Sequence, residues 1–172
     1  MTEGLAAAAV VLTQVASPDV LAAACALHKV PIEAVPTPVG SVAVCRSTGE
    51  GDPEAAAAVI SRLLTNTPVV LVVQRDGQMS ASRWVGGQQG ERLSAALMLD
   101  GAPPEIERLL LGQVAPEGLP GVVSSQMSRW RAMRRLARVA RAARRARTGA
   151  RRAGARERGG RRRGAAAETR RP

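Results

Sequence analysis

The sequence contains no Phe and no Tyr, and only two Trp, one Lys and one His in 172 residues. Without phenyl rings the interior must be filled by Val, Leu, Ile and Ala. Ala buries little area per residue, so the expected stability is modest. The same absence narrows any nucleic-acid reading of a sheet, because RNA-binding sheets stack bases on exposed aromatics. Only Trp84 is available for stacking on a strand. By alternation, Ser80, Ser82 and Trp84 point away from Met79, Ala81 and Val85. The competing expectation for Trp84 is burial in the core.

Two cysteines, Cys25 and Cys45, are too few for a disulfide framework. Cys25 and His28 stand at i, i+3 on an expected helix, and Cys45 would be a third soft ligand. Structural zinc usually takes four ligands at paired spacings, and no CxxC is present. No metal and no cofactor is expected. A nucleophilic mechanism would have to use His28 as its base, and the sequence places no acid to orient it. The carboxylates Glu33, Asp76 and Glu91 form no evident pair, so the reading is non-enzymatic. Gly86-Gly87-Gln88-Gln89-Gly90 lacks the Lys-Ser/Thr of a P-loop and the spacing of a dinucleotide fingerprint. It reads as a loop closing onto a helix.

No apolar run approaches the roughly 18–20 residues that span a bilayer. The only early charge is Glu3, where a secretory signal carries basic residues. The expectation is a cytoplasmic protein with reduced thiols.

What the chain has in excess is arginine at one end. From Ser124 to Pro172, 18 Arg stand against Glu157 and Glu168, a balance of +16. Residues 1–123 carry 7 basic and 12 acidic side chains, a balance of −5. An acidic body joined to a dense cationic arm points to polyanionic partners whatever their sequence. The accompanying Ala, Gly and Pro excess is also what a GC-rich genome produces, which accounts for Arg in place of Lys without removing the charge.

Along the chain, Ala8–Ala16 reads as a strand, and Ser17-Pro18-Asp19 as a helix start with proline at its first position. That helix is expected to reach about Lys29 with Val20, Ala24 and Leu27 on one face. Ile32–Val35 and Ser41–Arg46 read as two short strands. Asp52-Pro53 opens a second helix, in which Ala56, Val59, Ile60, Leu63 and Leu64 recur at helical spacing. Val69–Val73 is continuously apolar, the pattern of a central strand buried on both faces. Asp76-Gly77 predicts a tight hairpin into Gln78–Val85. Two short helices are expected over Glu91–Leu99 and Pro104–Leu111.

The predicted fold class is α+β, a ferredoxin-like βαββαβ two-layer domain with an extra hairpin strand and short helices. Its second sheet face would be covered by those helices or by a second copy of the chain. The expected organisation is a compact domain over 1–112, a Pro/Gly linker over 113–123, a basic amphipathic helix over 124–147, and a disordered Arg/Gly/Ala-rich tail over 148–172. On the helix, Arg131, Arg134, Arg135, Arg138, Arg141 and Arg145 fall on one side at 100° per residue. Trp130, Met133, Leu136, Val139, Ala140 and Ala143 fall on the other.

These patterns give a non-enzymatic binding module whose arm holds nucleic acid, DNA or RNA undecided, without sequence preference. The phosphate-binding residues would be those six arginines with Arg151, Arg152, Arg161, Arg162 and Arg163. An anionic membrane surface is a weaker partner, because the apolar side of the helix thins to alanine beyond Val139. The alternative class is a regulatory or dimerisation domain, pairing through its sheet and binding a small molecule, with an incidental basic tail.

Overall fold

The computed structural model describes residues 7–65 and 67–146. Within them lie a seven-stranded antiparallel sheet and five α-helices, a mixed α+β architecture. The first half runs β1 (Ala8–Leu12), α1 (Pro18–Leu27), β2 (Ile32–Thr37), β3 (Gly40–Cys45) and α2 (Asp52–Leu63). Next come β4 (Val69–Arg75), β5 (Gln78–Val85), β6 (Gln88–Leu93), α3 (Ala95–Asp100), α4 (Pro104–Leu110) and β7 (Val123–Ser124). A last helix, α5, starts at 129 and is described to 146. The sheet order is β6-β5-β4-β1-β3-β2-β7.

The centre of the sheet is β1 between β3 and β4, with Val10 opposite Val44 on one side and Val72 on the other. Both strands are apolar at consecutive positions, so both faces of the sheet need cover. On one face Ala9, Val11, Val69, Leu71 and Val73 pack with Leu21 and Cys25 of α1 and with Ala57 and Ile60 of α2. On the other, Val10, Val42, Val72 and Ala81 pack beneath Ile106 and Leu110 of α4, with Met98 and Leu99 of α3 at the margin. The chain itself therefore covers the second face. Burying a side chain such as Ile60 or Leu110 contributes about 1.5–3 kcal/mol.

Turn chemistry sets the hairpins. Asp76 and Gly77 both take positive φ between β4 and β5, as tight hairpin turns require. Gly86 and Gly87 do the same between β5 and β6. This second hairpin is a difference from the sequence reading, which places a helix from Glu91. The Gln-Gln-Gly-Glu-Arg composition resembles a helix start, but two adjacent left-handed glycines return the chain as a strand along β5. The helix begins only at Ala95. At Gly40, φ is +133° and an added Cβ would sit 2.4 Å from the Thr13 carbonyl oxygen, so only glycine fits beside that backbone.

Helix α1 also differs from expectation. Its buried residues are Leu21, Ala22, Ala23, Cys25 and Ala26, while Val20, Ala24 and Leu27 are half-buried. An alanine-rich helix is apolar all round, so periodicity does not choose its inner face. Here two sides are covered: Leu21, Ala22 and Cys25 meet the sheet cluster, and Ala23 and Ala26 meet Ala132 of α5.

The segment over 113–123 carries a single 3-10 turn at Pro116–Gly118 and ends in the strand β7 beside β2. Ser125 then ties it down. Its hydroxyl donates to the Val30 carbonyl at 2.8 Å and accepts from the Ile32 N–H at 2.8 Å. Its own N–H donates to the Ile32 carbonyl at 2.9 Å. Two contact units result, Met1–Leu136 and Ala137–Pro172, so the compact part runs past 112 to the first turns of α5.

Two buried polar side chains on the sheet, Gln74 and Ser41, have no hydrogen-bond partner.

The Ser125 clasp yields a direct test. Ser125→Ala strands a buried N–H and a buried carbonyl, a loss of about 1–3 kcal/mol. The expected result is a Tm lowered by roughly 3–10 °C in calorimetry. A Tm within about 1 °C of the parent would show that β2 does not depend on this contact.

Candidate polyanion interface

Helix α5 begins at a serine cap. The Arg131 N–H donates to Ser128 Oγ at 3.4 Å, and the Ala132 N–H to the Ser128 carbonyl at 3.0 Å. In the compact unit its first two turns dock on α1. Ala132 is fully buried against Ala23 and Ala26, with Leu27, Met127 and Leu136 alongside. Arg135 donates to Asp19 Oδ1 at 2.5 Å from within the same contact. The inner side of α5 is therefore Ala132, Arg135 and Leu136.

This changes which face is outside. The sequence puts Trp130, Met133 and Leu136 together on an apolar side, yet only Leu136 turns inward. Trp130 is 65% exposed and Met133 58%. The Arg134 guanidinium carbon lies 4.3 Å above the centre of the Trp130 ring, within cation–π range. Arg129, Arg131 and Arg134 are exposed. Arg135, expected among the phosphate contacts, is instead half-buried in the ion pair with Asp19.

In the second unit, Arg138, Arg141 and Arg145 lie on helical backbone with exposed side chains. Arg151, Arg152, Arg161, Arg162 and Arg163 lie outside the described residues, as does the expected tail over 148–172.

Trp84, the stacking candidate on the sheet, is 6% exposed and packs in the cluster of Ile60 and Val69 beneath α2. Its indole N–H donates to Ser82 Oγ at 3.0 Å. The ring faces protein, so no base can lie on it.

The remaining candidates fall apart spatially. Glu33 is buried at 2% exposure, accepts from Ser124 Oγ at 3.0 Å and pairs with Arg46, which also reaches Glu117 at 3.4 Å. That cluster fastens β2, β3, β7 and the 3-10 turn together. Asp76 is an exposed turn residue, and Glu91 pairs with Arg83 across the β5–β6 hairpin at 3.5 Å. His28 is exposed at the end of α1, whereas both thiols are buried. Among the described residues, no group of three His, Cys, Asp or Glu side chains is arranged to hold a metal ion.

Burial pushes both thiols from 9.0 up to about 12, helped at Cys25 by the nearby Cys45 and at Cys45 by Glu54. A thiolate is the reactive form, so both are inert in the folded chain.

Clefts open on several sides of the described residues, including one of about 410 Å³ against the β5–β6 hairpin at Arg83, Val85 and Gln88. One of about 300 Å³ opens between the end of α1 and α2, walled by Lys29, Pro31, Cys45, Asp52 and Val59 among others. Another of about 330 Å³ lies at the ends of β1 and β3, beside Arg46, Leu109 and Glu117. No described helix is long and apolar enough to cross a membrane.

Sequence reasoning did not anticipate the Asp19–Arg135 pair, the Ser125 clasp or the outward Trp130. The usable signal was small: alanines at 23, 26 and 132 are what two closely packed helices require, but alanine is common throughout the chain. No protein-family model matches this chain, nor does any curated protein or solved structure.

The buried thiols set a pH dependence. Their folded values lie above the unfolded value of 9.0, so their contribution to stability is complete below pH 9.0 and is lost as pH rises through about 12. The urea midpoint should fall between about pH 9 and 11, and a Cys25→Ala, Cys45→Ala double variant should flatten that fall. The native chain should not react with a thiol-exchange reagent at about pH 8, and both thiols should react once it is unfolded. Rapid native labelling would contradict the assignment.

Proposed function

We propose that this chain is a non-enzymatic binding module in which a compact α+β body carries an Arg-rich arm that engages polyanions, nucleic acid foremost. The observation that carries the reading is segregation of charge. Residues 137–172 hold 14 Arg against two Glu, while residues 1–136 hold 11 basic and 12 acidic side chains. Neutralising many phosphates releases counterions, and the resulting affinity needs no base contacts. The exposed Arg129, Arg131 and Arg134 of the compact unit add to the same chemistry.

For the body, we read the β4-β1-β3-β2 run of the sheet order, with α1 and α2 on one face, as a ferredoxin-like core. Strands β5 and β6 extend one edge and β7 the other. Self-association would use the outer edge of β6, whose residues 88–92 are exposed, because α3 and α4 cover the centre of the second face.

A second reading, a small-molecule-binding regulatory domain with an incidental tail, is favoured by one observation. The cleft between α1 and α2 reaches the lower end of ligand-pocket sizes.

Fluorescence anisotropy of labelled RNA and duplex DNA against salt, comparing residues 1–172 with 1–136, separates these readings. The full chain should bind with a log–log salt slope of about −5 or steeper, and residues 1–136 should bind far more weakly. Absence of binding by the full chain at about 0.15 M salt would reject the arm as a polyanion-binding element.

A further inference from the structure

We propose that Trp130 and Arg134 form a base-stacking platform for single-stranded nucleic acid. The inference rests on the polyanion reading and adds the kind of strand. Its starting point is how the chain uses its only two aromatic residues. Trp84 is spent on the core, where it is 6% exposed. Trp130 is held out of it at 65%, although the helix that carries it is docked and its neighbour Ala132 is completely buried. In a protein that fills its interior with alanine and valine, the largest side chain of α5 stands in water.

The ring also carries a cation on one face. Arg134, one turn further on, lies over one face at 4.3 Å. A cation in that position orders the indole and draws on its electron-rich face. One guanidinium covers one face of a ring, which leaves the other for a base. The stack would run guanidinium, indole, base, with the charge of Arg134 near the phosphate that follows.

Along this stretch of chain the charge is of one sign. Residues 126–136 contain four Arg and no acidic residue, and only Arg135 is engaged by Asp19. Exposed Arg129 and Arg131 flank Trp130 along the chain. This combination of a cationic surface with an aromatic ring is how proteins hold single strands without reading sequence. Duplex DNA keeps its base faces stacked internally, so it can use the arginines and not the ring. A lipid surface fits less well. The exposed large apolar side chains of α5 among the described residues are Trp130 and Met133, one turn of helix with arginine on either side.

The test uses the full chain, its Trp130→Ala and Trp130→Phe variants, a thymidine homopolymer of about 20 nucleotides, a duplex of equal length, and vesicles of mixed neutral and anionic phospholipid. Trp130 is on the surface, so both variants should fold, which circular dichroism checks. The parent's indole emission should be quenched by the homopolymer and unchanged by the duplex. Trp130→Ala should weaken homopolymer binding about tenfold and duplex binding less than about twofold, and Trp130→Phe should restore most of the loss.

If the parent binds both nucleic acids while Trp130→Ala weakens neither, or weakens both alike, the platform is overturned and the polyanion reading stands. If the parent binds neither, both fall. An emission shift to the blue on vesicles, without quenching by the homopolymer, overturns the platform in favour of a membrane surface.

Discussion

The structure depends on a sheet centre that is apolar on both faces. Val10 and Val72 face one way, and Ala9, Val11, Leu71 and Val73 the other. Two helices inserted between strands cover only one of those surfaces. The second has to be covered by the chain beyond β6, which crosses it as α3 and α4 and comes back to the far edge as β7. That return path leaves α5 beginning beside α1, where Asp19, Ala23 and Ala26 wait for Arg135 and Ala132. The position of the cationic helix thus follows from the need to keep valines out of water.

Scarcity of large side chains shapes the same result. Alanine on both helices lets α1 and α5 approach closely, and close approach leaves no room for an indole between them. Trp130 and Met133 are consequently outside with Arg134, while Arg135 anchors the docked side to Asp19. A single half-exposed ion pair of this kind contributes little stability, about 0–1 kcal/mol. Its effect is on orientation, since it fixes which side of α5 carries the exposed arginines of the compact unit.

Much of the framework was legible in the sequence because it rests on local chemistry. Proline at the first position of α1 and the second of α2 marked where those helices start, Asp76-Gly77 set the β4–β5 hairpin, and the Val69–Val73 run marked a strand buried on both faces. What was not legible depends on long-range choices. Gly86-Gly87 could precede a helix or close a hairpin, and pairing along β5 decided it. The segment around Pro116 and Gly118 looked like a linker because its fastening, Ser125 to β2 and Glu117 to Arg46, spans 71 residues or more of sequence. Trp84 had two readings on the strand, stacking or burial, and the structure takes burial, while Trp130, placed on the apolar side of its helix, stands outside. Which ring is buried depends on what packs above it, and a strand or helix pattern records only which side it is on.

The claim at the centre of this account is that the body is a scaffold and that binding happens on the surface begun by α5. Hydrogen exchange of the full chain, with and without the thymidine homopolymer, addresses it most directly. New protection is expected in residues 126–146 and beyond, with β1 and β4 unchanged as the slowest-exchanging amides. New protection confined to the cleft between α1 and α2, or to the β5–β6 hairpin, with none in the arm, would contradict it.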